Sequence, residues 1–356
     1  MTHSTLSIEA FVKLGNFLST FCELITSNTI SDHLNDKWIE RFKTEAVRAQ
    51  HYNGWFSEEN VVHAFQEWSN VLTQSNLENW LNAYDLNSNE EKTVALIMAG
   101  NIPLVGFHDL LCVLVTGNKA LVKLSSNDQK LIPLLIDYLI EIEPFFKDRV
   151  TFTKEKLENY DAVIATGSNN TARYFEFYFG KKPNIIRKNR NSVAVLTGKE
   201  TTEELTALSE DIFRYFGLGC RSVSKIYIPK EYNIDTFFKA MFPYSDIINH
   251  NKYANNYDYN KAVYLMSEFK ILDNGFLILK EEKSFGSPIA SLFYEYYEDI
   301  PALKNYLHNE EDKIQCIVSS GVIEGEILFG QTQKPSLNDY ADGIDTVDFL
   351  LRTSLN

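Results

Sequence analysis

Short apolar runs alternate with helical stretches through the middle of the chain, and this alternation limits the possible folds most strongly. The apolar runs cover residues 93–99, 120–124, 162–165 and 193–196, and helices are predicted over residues 105–115, 132–142 and 170–179. Strand and helix in alternation are typical of a parallel sheet with helices packed on it. Strands that are apolar along their whole length agree, because parallel strands are covered on both faces. The pattern predicts an α/β fold.

The regions on either side of this alternation show further elements. Apolar residues recur at intervals of three and four on one face of a first helix: Phe11, Leu14, Leu18, Phe21 and Ile25. Another helix is predicted to start at Ser57, and polar residues 85–89 mark a boundary. Thr201 and Glu204 form a capping-box pattern, and the helix they open is predicted to end at Gly217. Two later strands are predicted over residues 225–228 and 314–319.

Composition excludes several classes of protein. A formal net charge of −14 argues against a general nucleic-acid-binding protein, which would carry a basic surface. The four cysteines are far apart without a CxxC pair, and no histidine spacing suits a metal, so neither a disulfide framework nor a metal site is predicted. No apolar stretch approaches ~18 residues and no signal-peptide pattern is present, so we expect no membrane span and a cytoplasmic protein.

Cys220 has the surroundings expected of a reactive thiol. It lies in residues 217–222 (GLGCRS), where two glycines allow a sharp bend and close approach of a ligand. The neighbouring Arg221 favours the thiolate. These features by themselves leave two about equal alternatives, a nucleophile and a small buried hydrophobic residue.

Loops that follow predicted strands carry the other candidates, because ligands of open α/β sheets bind at the carboxyl ends of strands. Gly100 and Asn101 follow the first strand, and an Asn amide there suits a developing oxyanion. The turn Thr166-Gly167-Ser168 follows the third strand and opens a helix, which suits a diphosphate. Each also has an ordinary interpretation, a turn-forming Asn or a common Gly-Ser cap.

Lys123 ends the second strand beside Ser125 and Ser126 and suits a ribose or a phosphate. The ordinary interpretation is a solvated lysine. No GxGxxG motif and no P-loop supports a dinucleotide site independently.

Taken in order, these segments resemble the aldehyde dehydrogenase superfamily. Residues 94–126 resemble its strand ending in Asn-hydrophobic-Pro, the following helix, Gly-Asn, and the strand ending in Lys. Residues 165–168 (ATGS) resemble its Thr-Gly-Ser turn on the cofactor diphosphate, and residues 217–225 (GLGCRSVSK) resemble its catalytic cysteine loop. Glu282 and Phe285, within residues 281–288 (EEKSFGSP), resemble the Glu-x-Phe-Gly-Pro element near the nicotinamide.

Residues 100–104 (GNIPL) and 123–126 (KLSS) are similar to the acyl-CoA reductase (LuxC-type) branch of that superfamily. The resemblance implies an aldehyde-dehydrogenase-like fold, with two Rossmann-like parallel-sheet domains and an N-terminal helical region. On this basis residues 1–92 are the helical part of the cofactor domain and residues 93–190 the dinucleotide-binding domain. Residues 191–330 are then the catalytic domain, and residues 331–356 a C-terminal tail.

One departure from the superfamily bears on the reaction. Aldehyde dehydrogenases carry a Glu-Leu-Gly-Gly-Lys-Ser stretch whose Glu activates the hydrolytic water. Aligned on Asn191 and Ser192, residues 187–190 (RKNR) replace Glu-Leu-Gly-Gly, and no carboxylate remains as a base. The acyl-enzyme is therefore expected to resist hydrolysis, which favours exchange with CoA or reduction.

The resemblance implies that Cys220 attacks an acyl-CoA while Asn101 and the Cys220 backbone N–H stabilise the oxyanion. The implied product is a fatty aldehyde, formed by reduction of the acyl-cysteine with NADPH or NADH. The implied cofactor contacts are Gly100, Lys123, Ser125, Ser126, Thr166, Gly167, Ser168, Glu282 and Phe285. Ser126 stands where NAD-specific relatives often carry Glu, so NADPH is predicted over NADH.

Several alternatives stay open. An acyl-phosphate reductase of the glutamyl-phosphate-reductase type shares the fold and the cysteine, and a cysteine-dependent thioesterase or a catalytically silent scaffold belongs to another class. The approach to the first strand is too short for the oligomerisation hairpin of larger relatives. A homo-oligomer and a partner protein that donates the acyl group remain open, and acyl chain length is not determined.

Overall fold

The computed structural model describes residues 3–33, 35–86 and 89–352. It divides the chain into two compact units, one of Met1–Lys188 together with Ser336–Asn356 and one of Asn189–Pro335. The four-part division drawn from the sequence is a division by function and stays a prediction.

Four helices open the first unit: α1 (His3–Thr26), α2 (Lys37–Tyr52), α3 (Glu58–Val71) and α4 (Gln74–Leu81). Asp36, Ser57 and Thr73 cap the last three, because each side chain accepts a backbone N–H of the first turn. The predicted start at Ser57 is thus confirmed, and α2 and α4 lie within the N-terminal region that was predicted to be helical, although they were not predicted as separate helices. The apolar stripe of α1 is buried from Phe11 to Phe21 and packs against α3.

The first unit contains a five-stranded parallel sheet of β1 (Thr93–Ile97), β2 (Lys119–Lys123), β3 (Val150–Phe152), β4 (Ala162–Thr166) and β5 (Asn184–Arg187). Its helices are α5 (Phe107–Val115), α6 (Leu131–Ile142) and α7 (Asn169–Phe179). The strand order is β3-β2-β1-β4-β5. The chain therefore moves outward from β1 on one side and resumes at β4 on the other, which makes the gap between β1 and β4 a topological switch point. The first predicted strand ends two residues earlier than expected, and β3 and β5 were not predicted.

The second unit is built on six strands: β6 (Asn191–Val195), β7 (Val223–Pro229), β8 (Ile271–Asp273), β9 (Ile278–Glu281), β10 (Ser291–Tyr297) and β11 (Ile314–Val318). Its helices are α8 (Thr202–Phe213), α9 (Ile234–Met241), α10 (Asn251–Met266) and α11 (Ile300–Asn309). The sheet order is β11-β6-β7-β10-β9-β8, parallel except for β8, which is antiparallel to β9. The capping box of Thr201 and Glu204 is confirmed at the start of α8.

Both faces of the second sheet are covered, as expected for parallel strands. Along β6, Val193 and Val195 belong to one apolar cluster, and Ala194 and Leu196 belong to the other. This alternation places successive side chains on opposite faces of the sheet. A last helix, α12 (Thr346–Arg352), returns to the first unit. The predicted α/β class is confirmed, with an antiparallel edge strand that the sequence did not reveal.

Candidate active site

The Cys220 loop begins with a left-handed turn after α8. Tyr215, Phe216 and Gly217 have φ values of 55°, 58° and 73°. Such angles suit glycine but cost a residue with a side chain roughly 1–3 kcal/mol, and they persist only where the surroundings enforce them. The Phe216 ring is buried, with its centroid 4.3 Å from that of His250. The turn redirects the chain from α8 toward the start of β7.

Three hydrogen bonds hold the loop between the turn and β7. The Ser192 hydroxyl donates to the Cys220 carbonyl at 2.9 Å, and the Ser222 N–H donates to the Gly219 carbonyl at 3.0 Å. The Arg221 Nε–H donates to the Thr332 carbonyl at 2.6 Å. Arg221 was singled out in the sequence for its charge beside the thiol, and the structure shows that it also anchors the loop.

The environment of Cys220 differs from that of the other cysteines. Cys220 is exposed, whereas Cys22, Cys112 and Cys316 are buried, and the four cysteines form no disulfide. Burial raises the pKa of the Cys22 thiol to about 12 and holds the pKa of the Cys112 thiol well above its usual value. Thiolate is the reactive form of cysteine, so Cys22 and Cys112 are unsuited to nucleophilic chemistry.

Cys220 lines a cavity of about 400 Å³ in the second unit. The cavity lies at the amino ends of β6, β7 and β10, and α8 and α10 contribute to its wall. Its apolar lining is Ile212, Phe213, Phe216, Leu218, Val223, Tyr253, Leu277, Ile289 and Ala290. Its polar side chains are Asn189, Arg190, Asn191, Ser222, Ser224, Asn256, Ser287 and Ser291. No carboxylate and no histidine is among the described residues of this lining.

Most candidate cofactor residues of the sequence lie together in the first unit. Gly100 and Asn101 follow β1, Ser125 and Ser126 follow β2, and Gly167 and Ser168 follow β4. Lys123 and Thr166 are the last residues of β2 and β4. Because β1, β2 and β4 are parallel neighbours, all eight residues share the carboxyl edge of the sheet, beside the switch point.

Two glycines on this edge permit close packing of the backbone. A Cβ at Gly100 would lie 2.7 Å from the Ser125 Cβ, and a Cβ at Gly167 would lie 3.0 Å from the Thr171 side chain. Any larger residue would therefore fill the space between the strand-end loops. Ser168 caps α7, its hydroxyl accepting the Thr171 N–H at 3.3 Å. The cradle predicted from the Thr-Gly-Ser turn thus has the local structure of a helix N-terminus.

Lys123 and Asn101 lie at the carboxyl edge of the first sheet. The Lys123 ammonium donates to the Glu155 carbonyl at 3.1 Å, so it bridges the loops after β2 and β3. Asn101 is exposed in the loop after β1. Asn101 belongs to the first unit and Cys220 to the second.

Glu282 and Phe285 have different surroundings in the second unit. Glu282 follows β9, at the carboxyl edge of the sheet, roughly 13 Å along the strand direction from the edge where Cys220 lies. Its carboxylate pairs with Lys280 at 2.7 Å, and this hydrogen bond lowers the pKa of Glu282. The Phe285 ring is buried, 6.3 Å from the Tyr306 ring, in the core beside β6. Their assignment to the nicotinamide site stays a prediction, which these positions do not by themselves support.

Two polar residues at the start of β6, Asn191 and Ser192, were not predicted as site residues. In the sequence they served only to align the chain with the aldehyde dehydrogenase motif. Ser192 holds the Cys220 carbonyl, and Asn191 lines the cavity. Their proximity to Cys220 comes from the pairing of β6 with β7, in which Ser192 lies opposite Val223. The alignment with the Lys-Ser end of the aldehyde dehydrogenase motif was the one available signal.

Metal-binding clusters and membrane-spanning helices are both absent from the described residues. Within residues 3–33, 35–86 and 89–352 no group of three or more His, Cys, Asp or Glu side chains is arranged to bind a metal ion. In the same ranges no helix has the length and apolar character needed to cross a bilayer.

Aldehyde dehydrogenases are among the solved structures that resemble this chain. Aldehyde dehydrogenase 21 from Physcomitrella patens matches 99% of this chain and 89% of its own with a TM-score of 0.63 at 13% identity. An NAD-dependent aldehyde dehydrogenase from Sinorhizobium meliloti matches 94% of this chain and 73% of its own with a TM-score of 0.61 at 11% identity. Identities this low show the fold alone. The chain therefore has the aldehyde-dehydrogenase-like fold that its motifs predicted.

The family is narrower than the fold. The acyl-CoA reductase (LuxC) family model matches residues 25–242, which is more than half of the chain, and the chain belongs to that family. A long-chain acyl-protein thioester reductase from Aliivibrio fischeri is 22% identical over 235 residues, which are 61% of this chain. The chain spans 48% of the length of that relative.

Proposed function

We propose that this chain reduces an acyl thioester to the aldehyde at the expense of a reduced nicotinamide cofactor, with Cys220 as the nucleophile. The observation that carries the proposal is the placement of Cys220, an exposed thiol on a firmly anchored loop at a 400 Å³ cavity. Membership of the acyl-CoA reductase family supports the same reaction.

The lining of the cavity favours reduction over hydrolysis. Hydrolysis of an acyl-cysteine needs a general base for water, usually a carboxylate or a histidine. Neither type is among the described residues of the lining, so this lining offers no such base. This agrees with the loss of the Glu motif at residues 187–190. The thioesterase alternative therefore has no support from the cavity.

The lining of the cavity also favours thioesters over acyl phosphates. Its described lining contains one basic residue, Arg190, whose Nη1 lies 3.4 Å from the carbonyls of Glu311 and Ile314. A site for a phosphate leaving group is usually richer in cationic donors. The apolar side of the cavity, formed by residues of α8, α10 and the loop before β10, suits a hydrocarbon. We therefore favour a fatty acyl thioester over an acyl phosphate.

The first unit fits a nicotinamide dinucleotide. Gly100 allows the loops after β1 and β2 to approach closely, and the N-terminus of α7 presents backbone N–H groups at the switch point. Thr166, Gly167 and Ser168 would hold the diphosphate, and Lys123, Ser125 and Ser126 the ribose. Ser126 is exposed and carries no charge that would repel a 2′-phosphate, so we propose NADPH as the preferred cofactor and NADH as the poorer one.

In the proposed reaction the Cys220 sulfur attacks the thioester carbon, and the CoA thiolate leaves with the electron pair of its C–S bond. The Asn101 amide and the Cys220 backbone N–H are the proposed donors to the carbonyl oxygen, each worth about 3–4 kcal/mol in comparable sites. A bound reduced nicotinamide supplies the hydride that reduces the acyl group. The bond to Cys220 then breaks as the aldehyde forms, and one proton restores the thiol.

The test is to measure acyl-thioester-dependent oxidation of NADPH, with acyl-CoAs of increasing chain length, in the wild type and in Cys220→Ala. We expect the wild type to form aldehyde and Cys220→Ala to lose all acyl-dependent oxidation. Cys316→Ala, a buried cysteine outside the cavity, is the matched control and should keep the rate. Lack of activity of the wild type with every acyl-CoA and with acyl-protein thioesters would contradict the proposal.

A further inference from the structure

Asn191 is a polar residue of the cavity lining, and its side chain is not used to hold neighbouring segments of the described chain. It is half-buried at the first position of β6 and lines the cavity beside Cys220. Within the described part of the chain its amide makes no side-chain hydrogen bond. Another lining amide, that of Asn256, donates to the Lys252 carbonyl in α10 at 2.7 Å. An amide without a partner in a partly buried site is costly unless a ligand or water satisfies it.

The neighbours of Asn191 place the start of β6 beside the Cys220 loop. The next residue, Ser192, donates its hydroxyl to the Cys220 carbonyl at 2.9 Å. Successive Cα atoms are ~3.8 Å apart, so Asn191 and the Cys220 loop meet at the same edge of the sheet. The side chain of Asn191 points to the face opposite that of Ser192, because side chains alternate along a strand. Ser192 thus fixes the loop, and Asn191 lines the cavity from the other face of the strand.

Gly286 makes room for this amide. A Cβ at Gly286 would lie 2.9 Å from the Asn191 Oδ1, closer than real side-chain contacts allow. The segment is held in place by the Ser224 hydroxyl, which donates to the Phe285 carbonyl at 2.8 Å. The backbone of Gly286 does not have a positive φ, so the absence of a side chain serves space and not conformation.

We propose that Asn191 donates a hydrogen bond from Nδ2 to the carbonyl oxygen of the acyl group at Cys220. Asn191 is then a catalytic residue of the second unit, in addition to Asn101 of the first. The inference rests on the proposed function, because the oxygen in question belongs to the acyl group on Cys220. A donor aimed at this oxygen stabilises the negative charge that develops there when sulfur or hydride adds to the carbon.

The first test compares Asn191→Ala and Asn191→Asp with the wild type. An ionised carboxylate has nearly the shape of the amide but cannot donate, so both variants should lose about 10- to 100-fold in kcat for acyl-CoA reduction. The KM for NADPH and the free energy of unfolding should stay unchanged, which a merely structural role would not give. Asn305→Ala, at an exposed position of α11, is the matched control and should keep the wild-type rate.

The second test uses Gly286→Ala. The added Cβ should push the Asn191 amide out of position and lower kcat in the wild-type background. In the Asn191→Ala background the same substitution should have no further effect, because the amide is already gone. Fully additive losses, or a wild-type rate in Asn191→Ala, would overturn the role of Asn191 while the proposed function stands. An inactive wild type would instead refute the proposed function.

Discussion

At the residue scale, Asp211 is a buried carboxylate that holds the segment to which Arg221 of the Cys220 loop is hydrogen-bonded. It is 0% exposed on α8 and accepts the Gly330 N–H at 2.6 Å, the Thr332 N–H at 2.9 Å and the Thr332 hydroxyl at 2.8 Å. Thr332 in turn accepts the Arg221 Nε–H. Asp211 therefore connects α8, the segment before Pro335 and the nucleophile loop.

We expect Asp211 to make stability depend on pH. Burial raises its pKa to about 6, although the hydrogen bonds from Gly330 and Thr332 oppose the shift. Because the folded-state pKa lies above the ordinary value, the contribution of Asp211 is greatest below about pH 4 and is lost as the pH rises through about 6. The difference in unfolding free energy between the wild type and Asp211→Asn should thus fall by about 3 kcal/mol over this window.

Urea unfolding at a series of pH values measures this difference. Asp312→Asn, at an exposed position, is the control and should leave the pH dependence of the wild type unchanged. Parallel stability curves for Asp211→Asn and the wild type would show that Asp211 does not titrate in this window.

At the scale of single elements, the left-handed turn after α8 is the unusual feature. Tyr215 and Phe216 adopt angles that disfavour side chains, yet both are buried. Their packing, including the contact of Phe216 with His250, offsets the backbone strain. Gly217 completes the turn, and a Cβ there would lie 3.2 Å from the Ile212 carbonyl. The turn sets the direction in which Cys220 is presented.

We expect Gly217→Ala to lower both stability and the reactivity of Cys220. The left-handed angle costs alanine roughly 1–2 kcal/mol, and contact with Ile212 adds to that. Gly321→Ala is the matched control, since Gly321 has a similar φ of 75° but nothing within 4 Å of an added Cβ. Urea unfolding and the rate of thiol alkylation measure the two effects. Equal loss of stability in both variants, with unchanged alkylation of Cys220, would contradict this account of the turn.

At the scale of the whole molecule, the chain leaves the first unit after Lys188 and returns to it at Ser336. A buried ion pair within the first unit, between Arg187 and Asp109, anchors the returning segment. Arg187 donates to Asp109 at 2.6 Å, to the Ala341 carbonyl at 2.6 Å and to the Thr346 hydroxyl at 3.0 Å. Burial alone would lower the pKa of Arg187, but the Asp109 carboxylate raises it, so the pair is ionised.

We expect Asp109→Ala to destabilise the first unit by about 3–5 kcal/mol, because it leaves the Arg187 charge buried without its partner. The side chains of Arg187 and Asp109 are only 5% and 14% exposed. Glu158→Ala is the matched control, since its pair with Lys156 is exposed and should be worth less than about 1 kcal/mol. Urea unfolding gives the size of the loss, and limited proteolysis shows whether the returning segment detaches. A loss as small as that of the control would contradict a structural role for the pair.

The sequence and the structure give different information about Arg187. In the sequence it stands at the position of the hydrolytic Glu of aldehyde dehydrogenases, which predicts only that a base is missing. The structure adds that the arginine is used within the first unit. Likewise, the residues predicted as a C-terminal tail include α12, whose Val347 and Leu350 are fully buried.

Local sequence alone determined the order of β1, α5, β2, α6, β4 and α7 and the caps at Ser57 and Thr201. These features depend on residue spacing within one element or loop, so they can be predicted from residues that are close together in the sequence. Tertiary structure decided the rest: the short strands β3, β5, β8 and β9, the position of Glu282 at the far edge of its sheet, and the cavity side chain of Asn191. Short strands exist only through their partners, and Asp211 meets Thr332 across 121 residues of chain. Such contacts form when distant segments are brought together in the folded chain, and no local pattern encodes them.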